Sequence, residues 1–400
     1  MPVISRFPFK LSYPFMIWQH WPMNIDVVQC FEREGLSMQC SQKSNRYFVK
    51  RGASLMMMFL LLCGWIVSST GVLAASNPFQ GQVSGNSAIF RAGLPSRVNL
   101  NPNRPVLAFY YPWYTTSTWC ICHMSDLPTI RYNSNDAATF DRQLNWAATA
   151  GITGFISSWW GQGDTTDKNF ATLLARSAQL SASTGYPFAS TIYFESDAPA
   201  LQGASTIVRQ LKYVLSHYSN DPHFFHWHGK PVLFFWDALG NGRTLAEWAS
   251  IRSQVDPHNA TIWSAEGVST SLLSVFDGIH LFSGGYWGLQ HGTMPAVDQG
   301  FRNSINAYNK AHHTQKIWAA GVVPGFNDTK VPGRKGTFIV QRNNGATYNT
   351  SWSAALASSP DWITITSFNE WFEGSMLEPS VTYNTLYLNI TQGYAKKWHG

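Results

Sequence analysis

Cysteine, charge and nucleotide-binding glycines are all scarce in this chain. There are five cysteines in 400 residues. Three of them, Cys30, Cys40 and Cys63, precede the point where a leader would be cut. The other two, Cys120 and Cys122, stand in Trp119-Cys-Ile-Cys-His123. A C-x-C pair is poorly spaced for an ordinary bridge, which needs Cα atoms about 4.4–6.8 Å apart. The sequence therefore predicts a thiol pair in a loop and no disulfide framework. No second ligand cluster accompanies it, so neither a metal site nor a cofactor is expected. Charged residues make up only 12%. No basic run interleaved with aromatics occurs after residue 51, which argues against a nucleic-acid partner. No GxGxxG or GxxxxGK[ST] follows an apolar run, which removes the usual nucleotide sites. HExxH and a Ser-His-Asp order are also missing. Single histidines (His123, His217, His223, His280, His291) lack ligand spacing and are expected at the surface or hydrogen-bonded in the core.

One long uncharged run is present, from Ala53 to Ala75, with the apolar core Leu55–Val67. Lys50-Arg51 flank it on one side and Val72-Leu-Ala74 on the other. A basic flank, an apolar core and a small-residue exit form a secretory signal pattern, with a mature chain starting near Ala75 or Ser76. An uncleaved signal anchor is the alternative, because such a run can span a bilayer of ~30 Å. The expected location is therefore secreted or extracytoplasmic, or membrane-attached through residues 53–75. Residues 1–51 carry seven basic and three acidic side chains and the rest 21 and 19, so the basic balance belongs mainly to this extension. The predicted organisation is an unstructured extension (1–51), a signal peptide or anchor (52–75), a linker (76–103) and one catalytic domain (104–400), expected to be monomeric.

Past Asn101 the chain alternates short apolar β-branched or aromatic runs with milder helical stretches. The runs are 106–111, 154–158, 188–194, 231–236, 261–264, 278–282, 317–322 and 362–367. Helical candidates include 137–150, 167–184, 204–217, 245–255, 299–311 and 349–358. Strands buried on both faces read as continuous apolar runs, and β-then-α alternation gives a parallel sheet. Eight such units in about 300 residues fit an α/β fold of one particular kind, a single (β/α)8 (TIM) barrel.

Catalytic side chains of such a barrel gather just after the strands. Here the exits carry Tyr111, Trp113 and Tyr114; Trp159 and Trp160; Glu195; Asp237; Glu266; Tyr286 and Trp287; Asn327 and Asp328; and Asn369, Glu370, Trp371 and Glu373. Fifteen of eighteen tryptophans lie after residue 75. Most belong in the core, but aromatics and carboxylates at one end suit a sugar cleft. Glu370 and Glu373, three apart beyond the last strand, are the candidate acid/base pair. Two close carboxyls cannot both ionise cheaply, so their pKa values separate. Glu373 is expected to keep the proton and Glu370 to stay ionised. Tyr111, Trp113, Tyr114, Trp159, Trp160, Glu195, Asp237, Tyr286, Trp287, Asn369 and Trp371 are the candidate substrate contacts.

Three segments in order, Phe109-Tyr-Tyr-Pro-Trp-Tyr114, Ala150–Gly161 and Ile365–Gly374 with Glu378-Pro379, resemble glycoside hydrolase family 99, the endo-α-mannosidase family, over roughly residues 104–399. The resemblance implies a retaining endo-α-glycosidase acting on an α-mannoside or related glycan. The family's E-W-x-E glutamates fall on Glu370 and Glu373. By resemblance, Glu373 protonates the leaving oxygen and later activates water. Glu370 deprotonates the sugar 2-hydroxyl, which attacks C1 to give a 1,2-anhydro sugar. This route departs from the usual two-carboxylate displacement. Where the family commonly has His between the Trp and the second Glu, this chain has Phe372, and Ser375-Met-Leu-Glu378 replaces a common T-Q-I-E.

Two other readings compete. One is a barrel glycosidase with acid and nucleophile on different strands, Asp237 with Asp328 or Glu195 with Glu370. The other is a carbohydrate-binding barrel without catalysis. Sequons occur at Asn259, Asn327, Asn349 and Asn389, and a glycan on Asn327 would crowd the cleft.

Overall fold

The computed structural model describes residues 98–400. The expected extension, signal or anchor segment and most of the linker lie outside the described residues. So do Cys30, Cys40 and Cys63. Among the described residues, no helix is long and apolar enough to cross a membrane.

Eight parallel strands close into a barrel. They are β1 (Val106–Tyr110), β2 (Gly154–Trp159), β3 (Thr191–Glu195), β4 (Lys230–Trp236), β5 (Ile262–Glu266), β6 (Gly278–His280), β7 (Ile317–Val322) and β8 (Trp362–Ile365). Each pairs with the next, and β1 closes on β8 with Val106 opposite Ile363. All eight predicted strands are therefore present. The period-2 alternation of strand side chains decides which residues fill the barrel. Phe109 on β1 touches Phe234 on β4 and His280 on β6, with ring centres 6.4 and 5.6 Å apart. Strands that are not neighbours can meet only through the interior. Leu107, Phe109, Ile156, Tyr193, Val232, Phe234, Ile317 and Trp362 thus form one apolar plug. His280 lies inside it, bonded to Ser264 Oγ and the Tyr193 hydroxyl. Burial drops its pKa to about 3, so it is a neutral core residue.

Among the described residues, seven helices cover the barrel: α1 (Ala137–Thr149), α2 (Thr165–Thr184), α3 (Ala204–Tyr218), α4 (Leu245–Val255), α5 (Met294–His312), α6 (Ala346–Ala357) and α7 (Leu386–His399). The unit between β5 and β6 departs from the expected repeat. Only eleven residues join those strands, and they hold a 3-10 turn at Thr270–Ser274 in place of a helix. Helix α7, which the sequence pattern did not single out, seals the start of β1. Arg104 Nη1 donates to Trp398 O, and the Trp398 indole donates back to Arg104 O.

Two findings correct the sequence reading. Cys120 and Cys122 are joined in a disulfide. The turn at residues 121–123 brings their Cα atoms to 5.1 Å, inside the range a bridge requires. Trp159 does not face the mouth of the barrel. It is the outward residue of β2, fully buried, with its indole N–H on Asp167 of α2 and its ring beside Tyr213 of α3.

Candidate active site

The segment after β8 folds back on itself. Ser367 N–H donates to Ser375 O, and Leu377 N–H returns to Ser367 O. Residues 371–374 form the reversing turn, closed by Gly374 at φ +57°. A Cβ there would lie 2.4 Å from Ser125 Oγ and 3.1 Å from Asn327 O, so both the backbone and the space demand glycine. The glutamate pair therefore sits on a tight turn.

Glu370 and Glu373 are 4% and 5% exposed at the C-terminal mouth. Glu370 Oε1 accepts from the Tyr114 hydroxyl (3.2 Å) and from Phe372 N–H (3.1 Å). The same Tyr114 oxygen accepts from Trp371 N–H. Glu373 Oε1 accepts from Arg334 Nη1 at 2.8 Å, and that nitrogen also reaches Asp328 Oδ2 at 3.2 Å. Arg334 comes from a hairpin whose strands are Phe326–Asn327 and Ile339–Val340. Asp328 pins the base of that hairpin by accepting from Phe338 N–H. Asn327 N–H donates to Glu373 O, which ties the hairpin to the turn that carries the glutamates.

Trp371, between the two glutamates, points away from the mouth. It is fully buried, and its indole donates to Glu378 Oε2 at 3.0 Å. Glu378 also accepts from the Tyr132 hydroxyl (2.9 Å) and Gln143 Nε2 (2.8 Å). Asn369 is equally buried. Its amide bonds both the N–H and the carbonyl of Tyr111, clamping the β1 exit to the β8 exit. Trp371 and Asn369 are thus internal ties, which corrects their assignment as substrate contacts. Tyr114, 1% exposed, serves Glu370 directly, and Tyr111 is 5% exposed. Trp113 and Trp160 are half-buried and meet edge to face at 5.9 Å. Phe372 packs on Tyr114 at 5.7 Å. Tyr286 and Trp287 lie on a π-helical turn after β6, and Tyr286 rests on Phe338 of the hairpin.

Carboxyls dominate the electrostatics. Burial, then the Glu373 charge, holds Glu370 well above the usual range; Arg334, the Tyr114 hydroxyl and Phe372 N–H pull it back only in part. Burial also raises Glu373, but Arg334 opposes this at contact distance. The guanidinium thus sits against Glu373, while Glu370 is bonded by a phenol and a backbone amide. Glu195, which accepts from Ser158 Oγ, is raised by burial and then by Asp197. Asp237 is raised by the same two causes, and burial lifts Glu266 to about 7. Among the described residues, no cluster of His, Cys, Asp or Glu could hold a metal ion.

Sequence reasoning missed Arg334, Tyr132, Gln143 and Ser158. Arg334 stands in an exposed Gly-Arg-Lys-Gly stretch with no periodic signal. The other three act through carboxylates far away in sequence.

Residues 123–396 match glycosyl hydrolase family 99. The chain belongs to this family. The matched region starts beyond Tyr114, so the β1 exit that serves Glu370 lies outside it. Among curated relatives, the mouse glycoprotein endo-alpha-1,2-mannosidase is 24% identical over 283 residues, 64% of this chain and 58% of that protein. A zebrafish glycoprotein endo-alpha-1,2-mannosidase-like protein is 30% identical over 202 residues, 45% of this chain and 43% of that one. The chain thus spans about three fifths or less of these relatives. Among solved structures, the family 99 endo-alpha-mannosidase of Bacteroides thetaiotaomicron superposes with a TM-score of 0.62 at 24% identity. That match covers 75% of this chain and 98% of that one, and supports the barrel fold.

Proposed function

We propose that this chain is a retaining endo-α-glycosidase acting on an α-mannoside or a closely related glycan. The observation that carries the reading is the pair of buried glutamates on one turn at the mouth of the barrel. Each has its own polar partner, Tyr114 for Glu370 and Arg334 for Glu373. The two carboxyls share one proton, as an acid/base pair must. Glu373 gives a proton to the leaving oxygen as Glu370 withdraws one from the sugar 2-hydroxyl. The freed oxygen attacks C1 and forms a 1,2-anhydro sugar. Glu373 then takes a proton from water, whose oxygen bonds to C1 as the C1–O2 bond of the three-membered ring breaks, and Glu370 returns its proton to O2, with net retention at C1. The half-buried Trp113 and Trp160 offer ring faces to the C–H side of a sugar. Residues 53–75 would export the protein or anchor it, so that it meets glycans outside the cytoplasm.

The test is turnover of α-mannosyl oligosaccharides, with the first-formed anomer read by NMR, beside a substrate lacking the 2-hydroxyl. Retention and failure of the 2-deoxy substrate are expected. Glu373→Gln should recover on substrates with activated leaving groups, which need no protonation, and Glu370→Gln should not. Normal turnover of the 2-deoxy sugar would exclude internal attack. It would favour a conventional displacement using Glu195 or Asp237, both raised carboxyls on other strands. Binding without turnover in wild type and both variants would instead favour a carbohydrate-binding barrel.

A further inference from the structure

The reading above needs the shared proton on Glu373 when the leaving oxygen departs. The hydrogen bonds of the pair are arranged otherwise. Arg334 Nη1 lies 2.8 Å from Glu373 Oε1, whereas Glu370 accepts only neutral donors, the Tyr114 hydroxyl and Phe372 N–H. A guanidinium at contact distance favours a carboxylate far more than a phenol or an amide does. We infer that Arg334 is a positioning residue that decides which glutamate carries the shared proton: in the empty site it holds Glu373 ionised and leaves the proton on Glu370.

The consequence for turnover is a proton relocation. A glycan entering beside Glu373 displaces the guanidinium toward Asp328, its second anchor. Glu373 then becomes the more basic carboxylate. One O–H bond breaks at Glu370 and one forms at Glu373, so no proton enters or leaves the site. Glu370 becomes the base as Glu373 becomes the acid. The hairpin is suited to this small shift. Its tip carries Gly333 and Gly336, each with no neighbour within 4 Å of where a Cβ would stand, and Arg334 remains 19% exposed.

The charged and titratable groups facing the pair come from four strand exits. They are Tyr111 and Tyr114 after β1, Glu195 at the end of β3, Asp328 and Arg334 after β7, and the glutamates themselves. Of these, Arg334 alone is a cation, so its removal has a defined sign. Both limbs of the kcat/KM profile report the free pair, and Arg334 lowers both. Arg334→Gln should move both limbs to higher pH by about one unit or more. Arg334→Lys should keep them close to wild type. Asp328→Asn, which keeps an acceptor for Phe338 N–H, should move them toward lower pH. A role limited to holding the hairpin would lower the rate and leave the limbs in place.

This inference rests on the glycosidase reading, so one measurement is made without substrate. Infrared difference spectra at neutral pH compare wild type with Glu370→Gln and Glu373→Gln. The protonated-carboxyl band of the pair should vanish in Glu370→Gln; the other buried acids are common to all three proteins and cancel. A band that survives in Glu370→Gln and is lost in Glu373→Gln would overturn the inference, as would unshifted limbs in Arg334→Gln. Should Arg334→Gln fail to fold, the Asp328→Asn shift and the wild-type spectra still decide. If the spectra behave as expected and no α-mannoside is turned over, the proton assignment stands and the function falls.

Discussion

Glu378 never reaches the mouth of the barrel, yet its loss should disarm the site. It is 3% exposed and accepts three hydrogen bonds, from Tyr132, Gln143 and Trp371. Glu378→Leu would strand three buried donors at about 1–3 kcal/mol each. The leucine side chain regains about 1–2 kcal/mol by burying apolar surface in place of a carboxyl. The net cost is about 4–5 kcal/mol at mid-range, within limits of about 1–8 kcal/mol. Glu378→Gln keeps one oxygen where Oε2 accepts two of the bonds, and Gln143 can turn its amide to meet the new NH2. It should cost only about 1–2 kcal/mol. Urea unfolding followed by tryptophan fluorescence separates the two, read as a shift in midpoint at constant slope. Activity should follow, because Trp371 lies between the two glutamates. Leucine should cut kcat more than tenfold even at temperatures where the variant remains folded, with glutamine near wild type. Equal destabilisation by Leu and Gln would refute the reasoning, since it would mean that the three donors find other partners.

Two further outcomes test the fold around the site. Asp298 on α5 is fully buried, neither carboxyl oxygen has a hydrogen-bond partner, and burial lifts its pKa to about 8. An acid raised above its unfolded value of about 3.9 contributes stability that is complete below that value and is lost as pH climbs through the folded one. Asp298→Asn should therefore gain on wild type by roughly 3–5 kcal/mol between pH 4 and pH 8; stability curves that run parallel with pH would show that the carboxylate finds a partner. The neighbours Trp159 and Trp160 should respond oppositely to alanine. Trp159→Ala should cost about 3–5 kcal/mol of stability with KM nearly unchanged in the folded fraction. Trp160→Ala should raise KM about tenfold with little loss of stability, and identical phenotypes would remove the distinction between outward and mouth-facing positions.

The barrel was legible because its signals are local. Each strand is a short apolar run, and the eight runs in the sequence are the eight parallel strands of the barrel. The helix missing between β5 and β6 was also implicit, since eleven residues cannot hold a helix and two turns. Side-chain direction was harder. Trp159 and Trp160 are adjacent and alike, and only the phase of β2 separates a residue packed on α2 and α3 from one at the mouth. Asn369 and Trp371 looked like contacts because they flank the glutamates, but flanking residues on a tight turn point the other way. The Cys120–Cys122 bridge was misjudged from spacing, which says nothing about a turn that draws the two Cα atoms together. Arg334 left no trace in the sequence, since its role depends on a hairpin that returns to β8 from the end of β7.

The mouth of this barrel holds many acids for a site proposed to take a glycan: Glu195, Asp197, Asp237, Glu266, Asp328, Glu370 and Glu373. Full ionisation would make the cleft repel itself. Burial prevents it, because Glu195, Asp237, Glu266, Glu370 and Glu373 are all raised, and Glu266 stands at about 7. A protonated carboxyl donates one hydrogen bond and still accepts others. Sugar hydroxyls likewise both donate and accept. A ring of such acids can therefore match a glycan of either hydroxyl orientation without a fixed charge. Glu373 and Asp328 differ in sharing the Arg334 guanidinium. On the proposed mechanism, the carboxyl that acts as acid is thus the one bonded by a guanidinium. In an extracytoplasmic enzyme this would keep the empty site from committing its proton before a glycan is seated.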